Sequence, residues 1–316
     1  MTLNKQLQRL ALAVLLASTA PTLLAAAPAP QTAAARAFSS PQEAAAALAD
    51  AVRAMDPNAL LAVVGKDSGR WLFSGDRVAD RDDWTHFLAA YDIKHVIKLD
   101  GTRRAFLQVG EGGWLFPAPI IKIGSRWQFD AESGAEEIIN RRVGQNELDT
   151  IEALRAIVDA QREYAAVDPD GDGLHDYARH FRSNEGRKDG LYWPTQPEES
   201  LSPLGELFAS AAREGYDTTR ASREPAAYHG YRYRMLTSQC DLAPGGPYSY
   251  LVNDKLFGGF AVLAYPTKYG VSGVMSFKVN HEGTVFEKDL GDNTESRVEQ
   301  ISCFNPGDGW RPIIPE

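Results

Sequence analysis

The sequence predicts an α+β fold: N-terminal helices plus an antiparallel meander, then a long helix packed on a second antiparallel sheet. Three observations carry this prediction. Capped amphipathic segments crowd the first hundred residues. Four β-rich runs separated by glycine-bearing turns follow them. One long amphipathic helix then precedes another series of short strands. The chain has 316 residues, 44% hydrophobic and 24% charged, which is ordinary for a globular protein and long enough for two domains.

The first stretch, "MTLNKQLQRLALAVLLASTAPTLLAAAPAP", has Lys5 and Arg9 before an apolar run closed by small residues. That is the pattern of a secretory signal peptide over residues 1–26. Ser18, Thr19 and Pro21 interrupt the run, which argues against a spanning helix. Residues 27–38 are Ala/Pro-rich and read as a linker. An α+β domain is expected over 39–132 and a helix-plus-sheet domain over 133–316.

In the first domain Ser40, Pro41 and Glu43 form a capping signature for a helix to about Met55. Asp56-Pro57 restarts a short helix that Gly65 can end. Asp80 and Asp83 open a third, through "WTHFLAAY". Then come "KHVIKL", "RRAFLQVG", "WLFPAPIIKIG" and "RWQFDA", joined by short glycine turns, which predicts a meander. Pro117 and Pro119 demand a bend in the third run.

Ser133 and Glu136 form a second capping signature, opening the longest helix. Leu148, Ile151, Leu154, Ile157, Val158 and Ala165 give it one apolar stripe, read as core. Asp168-Pro169 ends it. "PLGELFASAAREG" reads as one further helix, capped by Ser202 and closed by Gly215. "YHGYRYRML", "GGFAVLAYP", "GVMSFKVN" and "GTVFEKD" read as strands, the last two with one wet face each.

The order of "ALRAIVDAQREYAAVDPDGDGLHDY", "GYRYRML", "AYPTKYGVSG" and "EGTVFEKDLG" resembles the globular head of type IV pilins and pseudopilins over about residues 145–291. The resemblance implies a helix spine on a small antiparallel sheet. The helix here is amphipathic where a pilin carries an apolar one, so pilus assembly is not implied. From Ser40 to about Pro312 the chain is also similar to a family of exported bacterial proteins, domain of unknown function family 2950. That resemblance implies export and two domains, and no activity.

"DPDGDGLHDY" is the stretch most suggestive of chemistry. Counted as a calcium loop, Asp168, Asp170, Asp172 and Asp176 fall at positions 1, 3, 5 and 9, with Gly173 at 6. Position 12, which needs a bidentate Glu, is Arg179. The same residues suit a sharp turn, so weak calcium binding is the most this loop predicts. His175 and His180 are close in sequence but read as solvated loop residues. Ser272 in "YGVSGV" reads as a turn serine rather than a nucleophile. Tyr228, Tyr231, Tyr233, Tyr248, Tyr250, Tyr265 and Tyr269 are either packed in strands or a binding face. Cys240 and Cys303, in an exported chain, are expected to form a disulfide.

The formal charge of −9 speaks against nucleic acid as a partner. No nucleophile elbow, phosphate loop, CxxC or HExxH is present. The expected protein is a soluble, periplasmic or secreted, non-catalytic binding or scaffold module, without a cofactor. Its partner would be an unknown envelope protein or polymer. The alternatives are a hydrolase of an envelope polymer, using scattered carboxylates, and a soluble accessory of a pilus or secretion machine.

Overall fold

The computed structural model describes residues 35–133, 135–169, 171–196, 198–217 and 227–314. The signal-peptide reading lies outside the described residues.

α1 (Pro41–Arg53) opens at Ser40, whose hydroxyl accepts from the Glu43 amide. The Glu43 carboxylate reaches back to the Ser39 amide at 2.8 Å, so the reciprocal bond of the capping box closes one residue earlier than its pattern implies. α2 (Pro57–Val64) is capped by Asp56 and stops at Gly65, whose φ of +111° suits glycine. The short α3 (Gly69–Leu72) follows. α4 (Arg77–Ile93) starts a turn before the predicted Asp80. Its N-cap is Asp76. Asp80 is buried inside the first turn, with its carboxylate on the Ser74 amide at 2.8 Å.

β1 (His95–Asp100), β2 (Arg104–Val109), β3 (Trp114–Leu115), β4 (Ile120–Ile123) and β5 (Arg126–Phe129) form the predicted antiparallel meander. The order is β1-β2-β4-β5, with β3 also on β2. Pro117 and Pro119 split the third run into β3 and β4, since a proline has no amide for the ladder. In β2, Ala105, Leu107 and Val109 alternate inward. They meet Leu48, Val52, Leu60 and Trp71 in the first core.

α5 (Ala135–Val167) serves two cores. Ala135, Ile138 and Ile139 pack with the first, while Ala153, Leu154, Ile157 and Val158 pack with the second. Both lie within one unit, Ala33–Glu316. The Ser133 hydroxyl donates to Asp130. Leu148, placed on the stripe by its spacing, is 60% exposed. Asp168 leaves the helix with φ +50°, ahead of Pro169.

β6 (His180–Arg182) and β7 (Gly190–Tyr192) form a small parallel pair. α6 (Gly205–Glu214) begins later than predicted: Ser202 and Pro203 form a preceding turn, closed by the Gly205 amide on the Ser202 carbonyl. Gly215 ends it with φ +97°. The second sheet contains β8 (Tyr231–Leu236). Short pairs intervene, β9 (Ser238–Gln239) with β10 (Tyr248–Ser249) and β11 (Leu251–Val252) with β12 (Lys255–Leu256). β13 (Ala261–Pro266), β14 (Met275–Asn280) and β15 (Phe286–Asp289) continue the sheet. α7 (Thr294–Glu299) follows, and β16 (Arg311–Pro312) ends it. The order is β16-β15-β14-β13-β8, antiparallel throughout.

The wet face expected for "MSFKVN" does not exist. Ser276 to Asn280 are all buried. Phe277 and Val279 join the core with α5, while Phe304 and Trp310 cover Lys278 on the other face. The Cys240–Cys303 disulfide is present and ties the C-terminal segment to β9. Among the described residues, no helix is long and apolar enough to cross a membrane.

Candidate functional site

α4 and α5 flank a cleft of about 1050 Å³. On α4, Ala79, Asp83, Phe87 and Ala90 recur at spacings of three and four, which places them on one face. On α5, Ile138, Arg142, Gln145 and Asp149 do the same. Leu48, Val52, Trp71 and Phe116 line its apolar depth. Trp114 and Leu115, both well exposed, border it. A cavity of this size, lined mostly by apolar residues with several charged groups among them, has the usual make-up of a small-molecule site.

The polar end is built around His229. Its Nδ1 lies 3.1 Å from Asp149 on α5, and its Nε2 lies 3.0 Å from Glu214 at the end of α6. A carboxylate therefore stands within hydrogen-bond reach of each ring nitrogen. The backbone turn is fixed as tightly as the ring. His229 has φ +48°, and its amide donates to the Tyr216 hydroxyl at 3.2 Å. The Gly230 amide donates to Asp76 Oδ2 at 3.1 Å. Gly230 has φ +73°, and a Cβ there would lie 2.6 Å from the Asn146 amide nitrogen. Only glycine fits.

Asp76 joins the two halves of the cleft. Oδ1 caps α4 at the Val78 and Ala79 amides, 3.0 and 3.2 Å away. Oδ2 accepts from the Tyr216 hydroxyl at 2.8 Å as well as from Gly230. Burial, and then the Asp76 charge, push the Tyr216 phenol well above its ordinary range. Burial, and then Glu214, push Tyr228 up to about 12. Both phenols stay protonated at neutral pH, and the single hydroxyl hydrogen of Tyr216 is held by Asp76.

Further along the cleft lies Arg142, whose side chain is 12% exposed. Its Nη2 donates to the Trp71 carbonyl at 2.8 Å. Asp83 Oδ2 stands 4.0 Å from that nitrogen, too far for a hydrogen bond. Nη1 is buried and, among the described residues, has no hydrogen-bond partner. Solvent reaches two-thirds of the Asp83 side chain along the cleft. Protein crowding the mouth still pushes its carboxyl above the ordinary range, an effect the open side weakens.

The residues singled out by sequence are spread elsewhere. Asp172 and Asp176 lie around the ammonium of Lys255, which pairs with Asp172 and sits 3.2 Å from Asp176. Asp168 and Asp172 also accept from the amides of Gly173 and Leu174. Asp170 lies outside the described residues. Among the described residues, no three His, Cys, Asp or Glu side chains are grouped to hold a metal ion. His175 bonds the Ala165 carbonyl at 2.7 Å and is exposed, and His180 is exposed on β6. Ser272 is fully buried, its hydroxyl bonded to Thr267 and to both backbone groups of Lys268. Of the seven tyrosines, Tyr231, Tyr233 and Tyr250 are buried in the second core, whereas Tyr248 is exposed.

Sequence reasoning missed Asp76, Arg142, Asp149, Glu214 and His229. Asp149 and Arg142 look like ordinary polar positions on an amphipathic helix. The one local signal was His229-Gly230 inside a predicted strand, where glycine marks a bulge or a close backbone approach.

Both nitrogens of His229 are taken by carboxylates, which leaves neither to activate a nucleophile. The same ring fills the space between Asp149 and Glu214, where a glycosidase would need water or sugar. No curated protein and no solved structure matches the chain. A family model described as "Protein of unknown function (DUF2950)" matches residues 35–313, and the chain belongs to that family.

Proposed function

We propose that this chain is a non-catalytic binding module of the cell envelope, and that the α4/α5 cleft takes a small amphipathic molecule. The cleft itself carries the reading: about 1050 Å³, lined mostly by apolar residues, with several charged groups among them. Export is part of the proposal. It rests on the leader-like N-terminus and is compatible with the Cys240–Cys303 bridge.

A fluorescent apolar probe, N-phenylnaphthylamine, tests the cleft. It should bind the purified chain saturably, with a single site. Gln145 is exposed and lines the cleft, so Gln145→Trp can plug it without disturbing a core. That variant should lose roughly tenfold or more in affinity. Absent saturable binding, or equal binding by the plugged variant, would remove the reading.

The hydrolase reading keeps one observation in its favour: Asp149 and Glu214 face one cleft. Hydrolysis of an envelope glycan by the native chain but not by Asp149→Asn would restore it over the binding role.

A further inference from the structure

We propose that the ligand of this cleft is an amphipathic anion whose carboxylate pairs with Arg142. The inference rests on the cleft being a ligand site. It adds the chemistry of the head group.

Most charged groups of the cleft already have partners. Asp149 and Glu214 are held by His229. Asp82 lies 3.2 Å from His86. Asp80 accepts from the Ser74 amide. Arg142 differs from these. One nitrogen serves the Trp71 carbonyl, the nearest carboxylate stands off at 4.0 Å, and the buried Nη1 has no hydrogen-bond partner among the described residues. A buried guanidinium with open donors is costly to leave unmade, and its planar fork matches a carboxylate.

The surroundings define the rest of the molecule. Trp71, whose carbonyl holds Arg142, is itself part of the cleft lining, next to Phe87 and Phe116. An apolar chain lying on Phe87, Trp114 and Leu115, which keep exposed surface, would bury its length while its head met Arg142. Leu48, Val52 and Leu60, packed in the first core, close the floor, and Trp114 and Leu115, both well exposed, border the cleft. A flexible acyl chain suits such an irregular apolar space better than a rigid polar body does.

Three probes with the same tail separate the head groups: dodecanoate, dodecanol and dodecyltrimethylammonium, each below its micellar concentration. Calorimetry on the full chain should show dodecanoate binding roughly tenfold or more tighter than dodecanol, as a charge-assisted pair would give. Arg142→Gln should bring the two within about twofold. Asp83→Asn, which removes the carboxylate nearest Arg142, should tighten dodecanoate binding and provides a second measurement if Arg142→Gln does not fold. Equal binding of all three probes would overturn the anionic head and leave the cleft reading intact. Preference for the cationic probe would do the same. Binding of none, together with no saturable binding of N-phenylnaphthylamine, would overturn the cleft reading and this inference with it.

Discussion

Lys278 shows how far one side chain can depart from what its local pattern says. In "MSFKVN" it occupies an alternate, polar position, the place of a solvated lysine on an open sheet. In the fold it is 1% exposed. Its ammonium donates to the Asn305 carbonyl and lies 3.8 Å from the Trp310 ring centre. Desolvation, and then repulsion from Lys288, lower it from 10.5 to about 7. The Trp310 face opposes this by favouring the cation. Between pH 7 and 10.5 the unfolded chain holds a proton that the native chain has released, so stability from this group rises with pH across that window. Below about pH 7 the full cost of burying the charge is present. Lys278→Met should therefore stabilise the protein by about 1–3 kcal/mol at pH 6, and the gain should shrink toward pH 10. Chemical denaturation at both pH values measures this. A less stable variant at pH 6 would mean that Trp310 and Asn305 outweigh desolvation. No pattern in six residues could have shown this, because the covering groups come from a segment beyond α7.

Elements were more legible than side chains, and the misses share a cause. Ser40, Asp56, Gly65 and Gly215 mark helix ends as their types predict, because caps are local chemistry. α4 begins at Asp76 rather than Asp80 because Asp76 is also held by Tyr216 and Gly230, far along the chain. The loop after α5 belongs to the same lesson. Its charge requirement was visible, but not that Lys255 would meet part of it. That ammonium, through a side-chain hydrogen bond, holds the Asp172 carboxyl below the usual range. We propose that calcium binds this loop weakly, in the range of about 10⁻⁴ M or above. Calorimetry should find no tighter site in the native chain. In Lys255→Met the same carboxylates lose their cation, and calcium should bind several-fold more tightly. Sub-micromolar binding by the native chain would reverse the reading.

At the scale of the molecule, periodicity revealed the material of both cores but not their joint use. Strand alternation in β2 and the stripe on α5 pointed to buried faces. The cleft arises only where α4, α5 and the end of α6 meet, which no single segment encodes. The disulfide has a similar long reach. It spans 63 positions, for which the chain-entropy model gives about 4 kcal/mol. It also holds a specific structure. The Cys240 amide donates to the Phe304 carbonyl, and the Phe304 amide donates to the Ser238 carbonyl, both at 2.9 Å. That pairing carries Phe304, Asn305 and Trp310 over Lys278. Two effects of losing the bridge follow. Replacing both cysteines with alanine should lower stability by about 2–5 kcal/mol. Loosening the segment should also uncover Lys278, so that an amine-acylating reagent labels it in the reduced chain and spares it in the oxidised one. Mass spectrometry of labelled peptides reads the second effect independently of the first. Unchanged stability, or Lys278 equally protected in both states, would show that the segment is held by Phe304 and the surrounding sheet without the bridge.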